Sequence, residues 1–298
     1  MNYKAIIKNQ ETRFKILHLL RFIPDKWMIK LQYFIKFGRR VDLKNPKRFN
    51  DKLQWYKLYY RDPLMTVCAD KYAVRDYVKS KGYGHILNDI YGIYNSFEEI
   101  NFDSLPDKFV MKTTNGGGIN YLCEDKSKID YKSLKKQFNQ WLSRNIYASG
   151  REWSYKGIKP RIIIERYLES EDKRFEGIND YKFVCFNGEA KYILVDVNRR
   201  VNFQRNVYDT KWNKLDVEFN RPNFKEIHEN PEKLNEMIDI VNNLAKEFPF
   251  VRVDLYLVNN EIYFGELTFY PGTGYLTFNP DQFDYELGSF MKLDKIML

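Results

Sequence analysis

Two acidic residues, Asp254 and Glu266, stand inside runs that otherwise read as β-strands: VRVDLYLVNNEIYFGELTF, residues 251–269. Acidic side chains are depleted in strands. Val251, Val253, Leu255 and Leu257 recur at every second position, and Tyr263, Gly265, Leu267 and Phe269 share one parity on the second run. A three-residue loop of Asn259, Asn260 and Glu261 pairs Val258 with Ile262 and sets Val253 against Leu267, so the apolar sets coincide. The same register puts Asp254 opposite Glu266 and Arg252 opposite Thr268. A two-residue loop at Asn259-Asn260 would throw the two acids onto opposite faces. Directly opposed carboxylates repel, so something must compensate. A hard divalent cation does so, and Mg²⁺ commonly uses one or two carboxylates plus substrate phosphates. The alternative is a solvated outer face with Arg252 as counter-ion.

A second group of residues suits phosphate. DKFVMKTTNGGG sets Lys112 at the end of a buried strand, with Gly116, Gly117 and Gly118 just after it. Glycines let backbone N–H groups approach an anion closely, and a strand-borne lysine adds a fixed charge. No Walker A pattern follows, and a glycine-rich hairpin tip is the plainer reading. Lys71 follows Asp70, a candidate helix N-cap, while Lys182 alternates with Tyr181 and Phe183 on a strand. Each of these lysines is either turned into a cleft or simply solvated. IIIERYLE can offer strand-end backbone groups to a purine edge, with Glu169, Glu171 or Asp172 for a ribose hydroxyl.

The elements that must position these residues follow from pattern. Residues 14–40 (FKILHLLRFIPDKWMIKLQYFIKFGRR) read as basic amphipathic helix broken at Pro24, suited either to an anionic membrane surface or to packing on the domain with snorkelling lysines. Helices are expected from residue 45 to Gly82, then a strand, glycine loop and strand over residues 105–125. A helix (127–143), the strand IIIER, a hairpin turning at Asn187-Gly188, a helix (231–248) and the acidic hairpin complete the order. This is α+β rather than regular βαβ, and no GxGxxG fingerprint appears.

Bulk properties narrow the partners. The 298 residues are 44% hydrophobic, including 22 Phe and 23 Tyr, which excludes disorder. The net charge of +9 favours an anionic partner, and the basic residues read as spread along the chain. Cys68, Cys123 and Cys185 form no CxxC pair, which argues against a zinc knuckle or a disulfide framework. Neither a signal-peptide pattern nor a membrane-length apolar run is apparent, so a cytoplasmic chain is expected. The aromatics follow core periodicity, which argues against nucleic acid. His18, His85 and His228 form no recognisable nucleophile–base arrangement.

In this order, PKRFNDKLQWYKL, ADKYAVRDYV, LPDKFVMK with its glycine loop, IIIERYL, DYKFVCFNGE and RVDLYLV…IYFGELTFYPGTG resemble the ATP-grasp superfamily, and within it the TupA-like family of cell-surface polysaccharide (teichuronopeptide) biosynthesis. The resemblance runs from about residue 46 to near the C-terminus. It implies an α+β ATP-grasp fold in which two α+β subdomains clasp ATP, preceded by a helical N-terminal region. Its divisions would be the basic helical segment (1–45), a helical part of the ATP-grasp unit (46–106), a lid with the glycine loop (107–168) and a C-terminal subdomain with the Mg²⁺ hairpin (169–298). Carried over by position, Lys71 and Lys112 would contact ATP phosphates, and Gly116, Gly117 and Gly118 would close over them. Glu165, Arg166, Tyr167 and Leu168 would form the adenine hinge, with Asp172 near the ribose. Asp254 and Glu266 would hold Mg²⁺, with Thr268 standing where the superfamily often has Asn. Arg252 would face the transferred phosphoryl group or an acyl phosphate, and Lys182, if turned into the same cleft, is the second catalytic candidate. Thr114-Asn115-Gly116-Gly117-Gly118 stands where many members carry a loop resembling NHGSG.

The activity implied is an ATP-dependent carboxylate–amine ligase working through an acyl phosphate and joining an amino acid to a cell-surface glycan or its precursor. Its partners would be ATP, an amino acid or amine, an anionic or lipid-linked glycan, and the inner face of the membrane through residues 14–40. Two other readings stay open: a kinase on the same scaffold, and a non-catalytic polysaccharide-binding protein.

Overall fold

A computed structural model describes residues 9–116, 120–171, 177–198, 202–225 and 229–293. Its frame is two antiparallel sheets. The smaller holds β1 (Ile90–Tyr94), β2 (Phe109–Thr113), β3 (Asn120–Cys123) and β4 (Ile162–Arg166) in the order β1-β4-β2-β3. The larger holds β5 (Asp180–Phe186), β6 (Glu189–Val197), β7 (Gln204–Asp209), β8 (Lys214–Leu215), β10 (Phe250–Val258) and β11 (Glu261–Thr268), in the order β11-β10-β5-β6-β7-β8. Two short strands, β9 (Glu218–Phe219) and β12 (Phe278–Asn279), pair separately.

Each sheet buries one face under a helix. The helix Tyr131–Leu142 lays Leu134 and Phe138 on the small sheet, against Phe109, Met111, Ile162 and Ile164. The helix Leu234–Ala245 covers the large sheet with Met237, Ile240, Val241 and Leu244. A third helix, Phe49–Tyr59, wedges Phe49 between the rings of Phe186 and Phe250, 5.7 and 4.9 Å away. The β-patterned runs and most expected helices are therefore found. Strands Ile90–Tyr94 and Gln204–Asp209 are additions that no turn signal announces.

The acidic hairpin departs from expectation in one respect. Its turn has two residues, Asn259 and Asn260, at φ 51° and 62°, and Val258 pairs with Glu261. Asparagine tolerates these left-handed values, as a type I′ turn requires. Such a turn should separate Asp254 from Glu266, yet the two are partners. The register shifts between Asp254 and Leu255, because Gly265 is an extra residue in β11. This β-bulge restores by one residue what the turn removes. It also changes the buried parity: Ile262 and Phe264 face the core before it, Leu267 and Phe269 after it. Tyr263 therefore does not share the face of Leu267.

Glycine is required at the bulge by space. A Cβ on Gly265 would lie 2.9 Å from the Asp254 carbonyl oxygen and 3.2 Å from the Tyr256 ring. We expect Gly265→Val to lose about 1–3 kcal/mol in denaturant unfolding. Asn260→Gly, at the tip, should change stability by less than about 0.5 kcal/mol.

Candidate functional site

The face of the large sheet opposite its helix carries a row of charges crossing five strands. Asp254, in the middle of β10, has Glu266 of β11 on one side and Lys182 of β5 on the other. Further along, Asp180 pairs with Asp196 of β6, and Asp196 with Arg205 of β7. Strand alternation turns all of these side chains to one face.

The compensation that opposed carboxylates need is supplied within the chain. Arg252 donates from Nε to Asp254 Oδ1 at 2.6 Å and from Nη2 to Asp254 Oδ2 at 2.7 Å. The same Nη2 reaches Glu266 Oε1 at 3.1 Å and Thr268 Oγ1 at 3.0 Å. Lys182 Nζ donates to Asp254 Oδ2 and Asp180 Oδ2, both at 2.5 Å. Lys71 Nζ donates to Glu266 Oε2 at 3.0 Å, and the Thr268 hydroxyl to Glu266 Oε1 at 3.0 Å. The solvated outer face is thereby excluded, since Asp254 is 1% exposed and Lys182 4%. A buried charge persists only when paired and hydrogen-bonded, and each of these is.

Protonation follows the same balance. Burial works against charge on Arg252, but Asp254 and Glu266 outweigh it and hold the guanidinium above its ordinary range. Burial likewise favours a neutral Glu266, yet Lys71, Arg252 and Lys182 hold its carboxyl well below the usual glutamate range.

The small sheet supplies the facing wall. Lys112, at the end of β2, donates to Glu165 Oε2 of β4 at 2.5 Å. Between the sheets lies a cavity of about 170 Å³, lined by Lys71, Arg75, Lys112, Lys182, Arg205 and Arg252 against Glu165, Asp180, Asp196, Asp254 and Glu266. Among the described lining residues cations outnumber carboxylates by one, a balance suited to an anionic guest.

Lys71 is held by backbone. Its N–H donates to the Thr114 carbonyl at 3.0 Å, and Asp70 Oδ1 accepts from the N–H groups of Tyr72 and Ala73 at 2.8 and 2.9 Å. Asp70 thus caps the turn as expected, although the helix proper runs Val74–Ser80. Gly116 is buried, and a Cβ there would approach Ile146 to 3.3 Å. Gly117, Gly118 and Asp172 lie outside the described residues. At the end of β4, Arg166 donates its N–H to Asp89 O at 2.9 Å and accepts at its carbonyl from Asn88 Nδ2 at 2.8 Å. Its guanidinium reaches across to the Tyr263 hydroxyl at 3.0 Å. Tyr167 bonds Glu124 through its hydroxyl, and Leu168 follows β4.

Sequence reading passed over Asp180, Asp196 and Arg205, whose signal was the parity Asp180 shares with Lys182. It also passed over a polar stripe at i, i+4, i+7 on the helix Phe49–Tyr59: Asn50, Gln54 and Lys57, all buried. Lys57 Nζ donates to Thr273 O at 2.6 Å, and Gln54 Nε2 to Gly274 O at 2.6 Å. Burial pulls the Lys57 ammonium down to about 7 against the opposing pull of Glu152. These contacts fix the turn Pro271–Gly274, which follows β11 and holds Gly272, Thr273 and Gly274 at positive φ.

Two antiparallel sheets with a charged cleft between them, helices on their outer faces and a helical region ahead make the ATP-grasp architecture that the resemblance implied. The chain belongs to the TupA-like ATP-grasp family, whose model matches residues 51–292. No curated protein sequence matches it. Among solved structures, the chain is similar to D-alanine–D-alanine ligase of Bacillus anthracis (16% identity, 78% of this chain and 68% of that one, TM-score 0.48). It is also similar to the Helicobacter pylori enzyme of that name (16% identity, 83% and 70%, TM-score 0.43) and to the ATP-grasp ligase PsnB with a minimal precursor (12% identity, 70% and 54%, TM-score 0.39).

ATP and Mg²⁺ come with that membership, and the donor set fits them. Lysines from three elements converge on the cleft, and its carboxylates are hard oxygen donors, with neither His nor Cys among the described lining residues. No group of three metal-ligating side chains stands ready among the described residues. A pair of carboxylates completed by phosphate oxygens is the coordination Mg²⁺ favours.

Asp254 and Glu266 should respond differently to neutralisation. Asp254→Asn strips the shared acceptor from two buried cations, and we expect a loss of about 3–5 kcal/mol in denaturant unfolding. Glu266, whose side chain is 32% exposed, should cost about 1 kcal/mol as Gln. Because the folded Glu266 carboxyl is depressed, its contribution is complete above the ordinary glutamate pKa of about 4.3 and is lost as pH falls below it. Glu266→Gln should therefore show a shallower acid-side loss of melting temperature than the wild type.

Proposed function

We propose that the chain is an ATP-dependent carboxylate–amine ligase, and that its substrates are an amino acid and a cell-surface glycan or a lipid-linked precursor of one. The observation that carries the reading is the Asp254–Glu266 pair, held by Arg252, Lys71 and Lys182 inside a cleft that Lys112 closes from the other sheet. Family membership and the cationic excess of the cleft support it.

When bound, ATP would supply the γ-phosphoryl group that turns a substrate carboxylate into an acyl phosphate, from which an amine displaces phosphate to form the amide. The remaining work falls to the residues. Asp254 and Glu266 would present carboxylate oxygens to Mg²⁺, and Thr268 would orient Glu266 or stand near as a third oxygen. Lys71 and Lys112 would pair with phosphates, with Gly116, Gly117 and Gly118 as the loop over them. Arg252 and Lys182 would neutralise charge developing on the transferred group, Arg252 through its planar fork. Since Arg166 spends backbone groups on Asn88 and Asp89, adenine recognition by backbone would fall on Tyr167 and Leu168, with Glu165 holding Lys112 and Asp172 placed for the ribose. No protein nucleophile is needed. The four divisions at 1–45, 46–106, 107–168 and 169–298 would be the working units, in a cytoplasmic enzyme whose acceptor is anionic.

The test is ADP release with Mg²⁺-ATP and an amino-acid panel, with and without glycan. Wild type should release ADP and free phosphate only when carboxylate and amine are both present. A stable phosphorylated product would instead identify a kinase. Glu266→Gln should lower turnover by at least about a hundredfold while keeping its circular dichroism spectrum. Turnover retained in that variant would refute the metal assignment.

A further inference from the structure

The N-terminal helices use one face to hold the molecule and leave the other bare. The segment comprises the helix Gln10–Leu19, a 3₁₀ turn Leu20–Phe22 and the helix Asp25–Phe37. Its inner side is tied down: Met28, Ile29 and Tyr33 are buried, Arg151 pairs with Asp25 at 3.4 Å, and Gln32 Nε2 donates to Ser149 O at 3.0 Å. On the outer side, Ile16, Leu19, Phe22, Trp27, Leu31 and Phe34 are exposed, six of the twelve large hydrophobic residues so exposed among the described residues. Leu19, Phe22 and Trp27 are 72, 78 and 64% exposed, on either side of the Pro24 bend. Helical spacing sets Trp27, Leu31 and Phe34 in one stripe opposite the buried face. Exposed apolar side chains concentrated in one element mark an interaction surface.

Charge says what covers it. The first 40 residues carry ten basic and two acidic side chains, and so hold eight of the nine net positive charges. The other 258 residues together carry a net charge of +1, although residues 126–161 are locally as cationic as this segment. Lys15, Arg21, Lys26 and Lys30 are exposed beside the apolar stripe, and Lys30 Nζ sits 5.0 Å from the Trp27 ring centroid. Aromatic and aliphatic tips flanked by lysines fit an interface of acyl chains and anionic headgroups. No helix among the described residues is long and apolar enough to cross a membrane. We infer that the outer face of residues 16–34 docks the protein in-plane on an anionic lipid bilayer, with Leu19, Phe22, Trp27 and Leu31 inserted and the lysines on the headgroups. The inference does not depend on the reaction the cleft performs.

The test is co-sedimentation of the full chain with vesicles, without nucleotide. Phosphatidylcholine vesicles containing phosphatidylglycerol should bind it, and pure phosphatidylcholine should not. Raising salt should weaken binding, as should Lys26→Glu/Lys30→Glu. Phe22→Ser/Trp27→Ser should lower affinity at least about tenfold with the melting temperature unchanged. Equal binding to both vesicle types would overturn the proposal, as would full binding by the Phe22→Ser/Trp27→Ser variant. So would an absence of binding at low salt, including the case of a dimer in sedimentation equilibrium that Trp27→Ser dissolves, which would assign the face to a second copy of the chain.

Discussion

Everything around the cleft is arranged by the need to keep an ionised carboxylate at the centre of a sheet. Desolvating a charge costs several kcal/mol unless partners replace water, and Asp254 is almost wholly removed from water. It therefore sits between two cations from different positions in the ladder, Arg252 on its own strand and Lys182 on the next. Lys182 in turn requires Asp180, and Asp196 is matched with Arg205. The row is a chain of mutual obligations, so the strand order of the large sheet and the charge state of the site are one problem with one solution.

Much of this was legible from residue order. Alternation placed the hairpins, and the opposition of Asp254 and Glu266 emerged from matching apolar faces. Yet that deduction reached the right pairing through the wrong turn. Two consecutive asparagines signalled a two-residue turn, and the apolar parity signalled an odd offset. Both signals were true, and Gly265 reconciles them. A bulge costs one residue and leaves little local trace beyond a glycine in a strand. The hairpin at Asn187-Gly188 hides another, between Val184 and Cys185, so the pairing of Asp180 with Asp196 could not be counted outward from its turn. The polar stripe of Asn50, Gln54 and Lys57 was unreadable for another reason: its partners are carbonyl oxygens more than 200 positions away in sequence, and backbone acceptors carry no compositional mark.

The two sheets divide the electrostatic labour unequally. The large sheet holds most of the carboxylates and their cations in a ladder, whereas the small one offers Lys112 and Glu165 from adjacent strands. Lys71 joins them, its backbone tied to Thr114, just past β2 of the small sheet, and its ammonium to Glu266 of the large. One residue thus registers the position of one wall against the other.

The bulge at Gly265 also separates two kinds of change. On one side of it the ladder is pinned twice, by β5 against β10 and by Leu267 in the core. On the other side is a tip that ends in two exposed asparagines. A slip of register at the tip can be absorbed where the extra residue already sits, before it reaches the carboxylates. The hairpin thus serves two purposes at once: its far end, through Asn259 and Asn260, ties down Glu169, Glu171 and Glu232, while its near end keeps two carboxylates face to face.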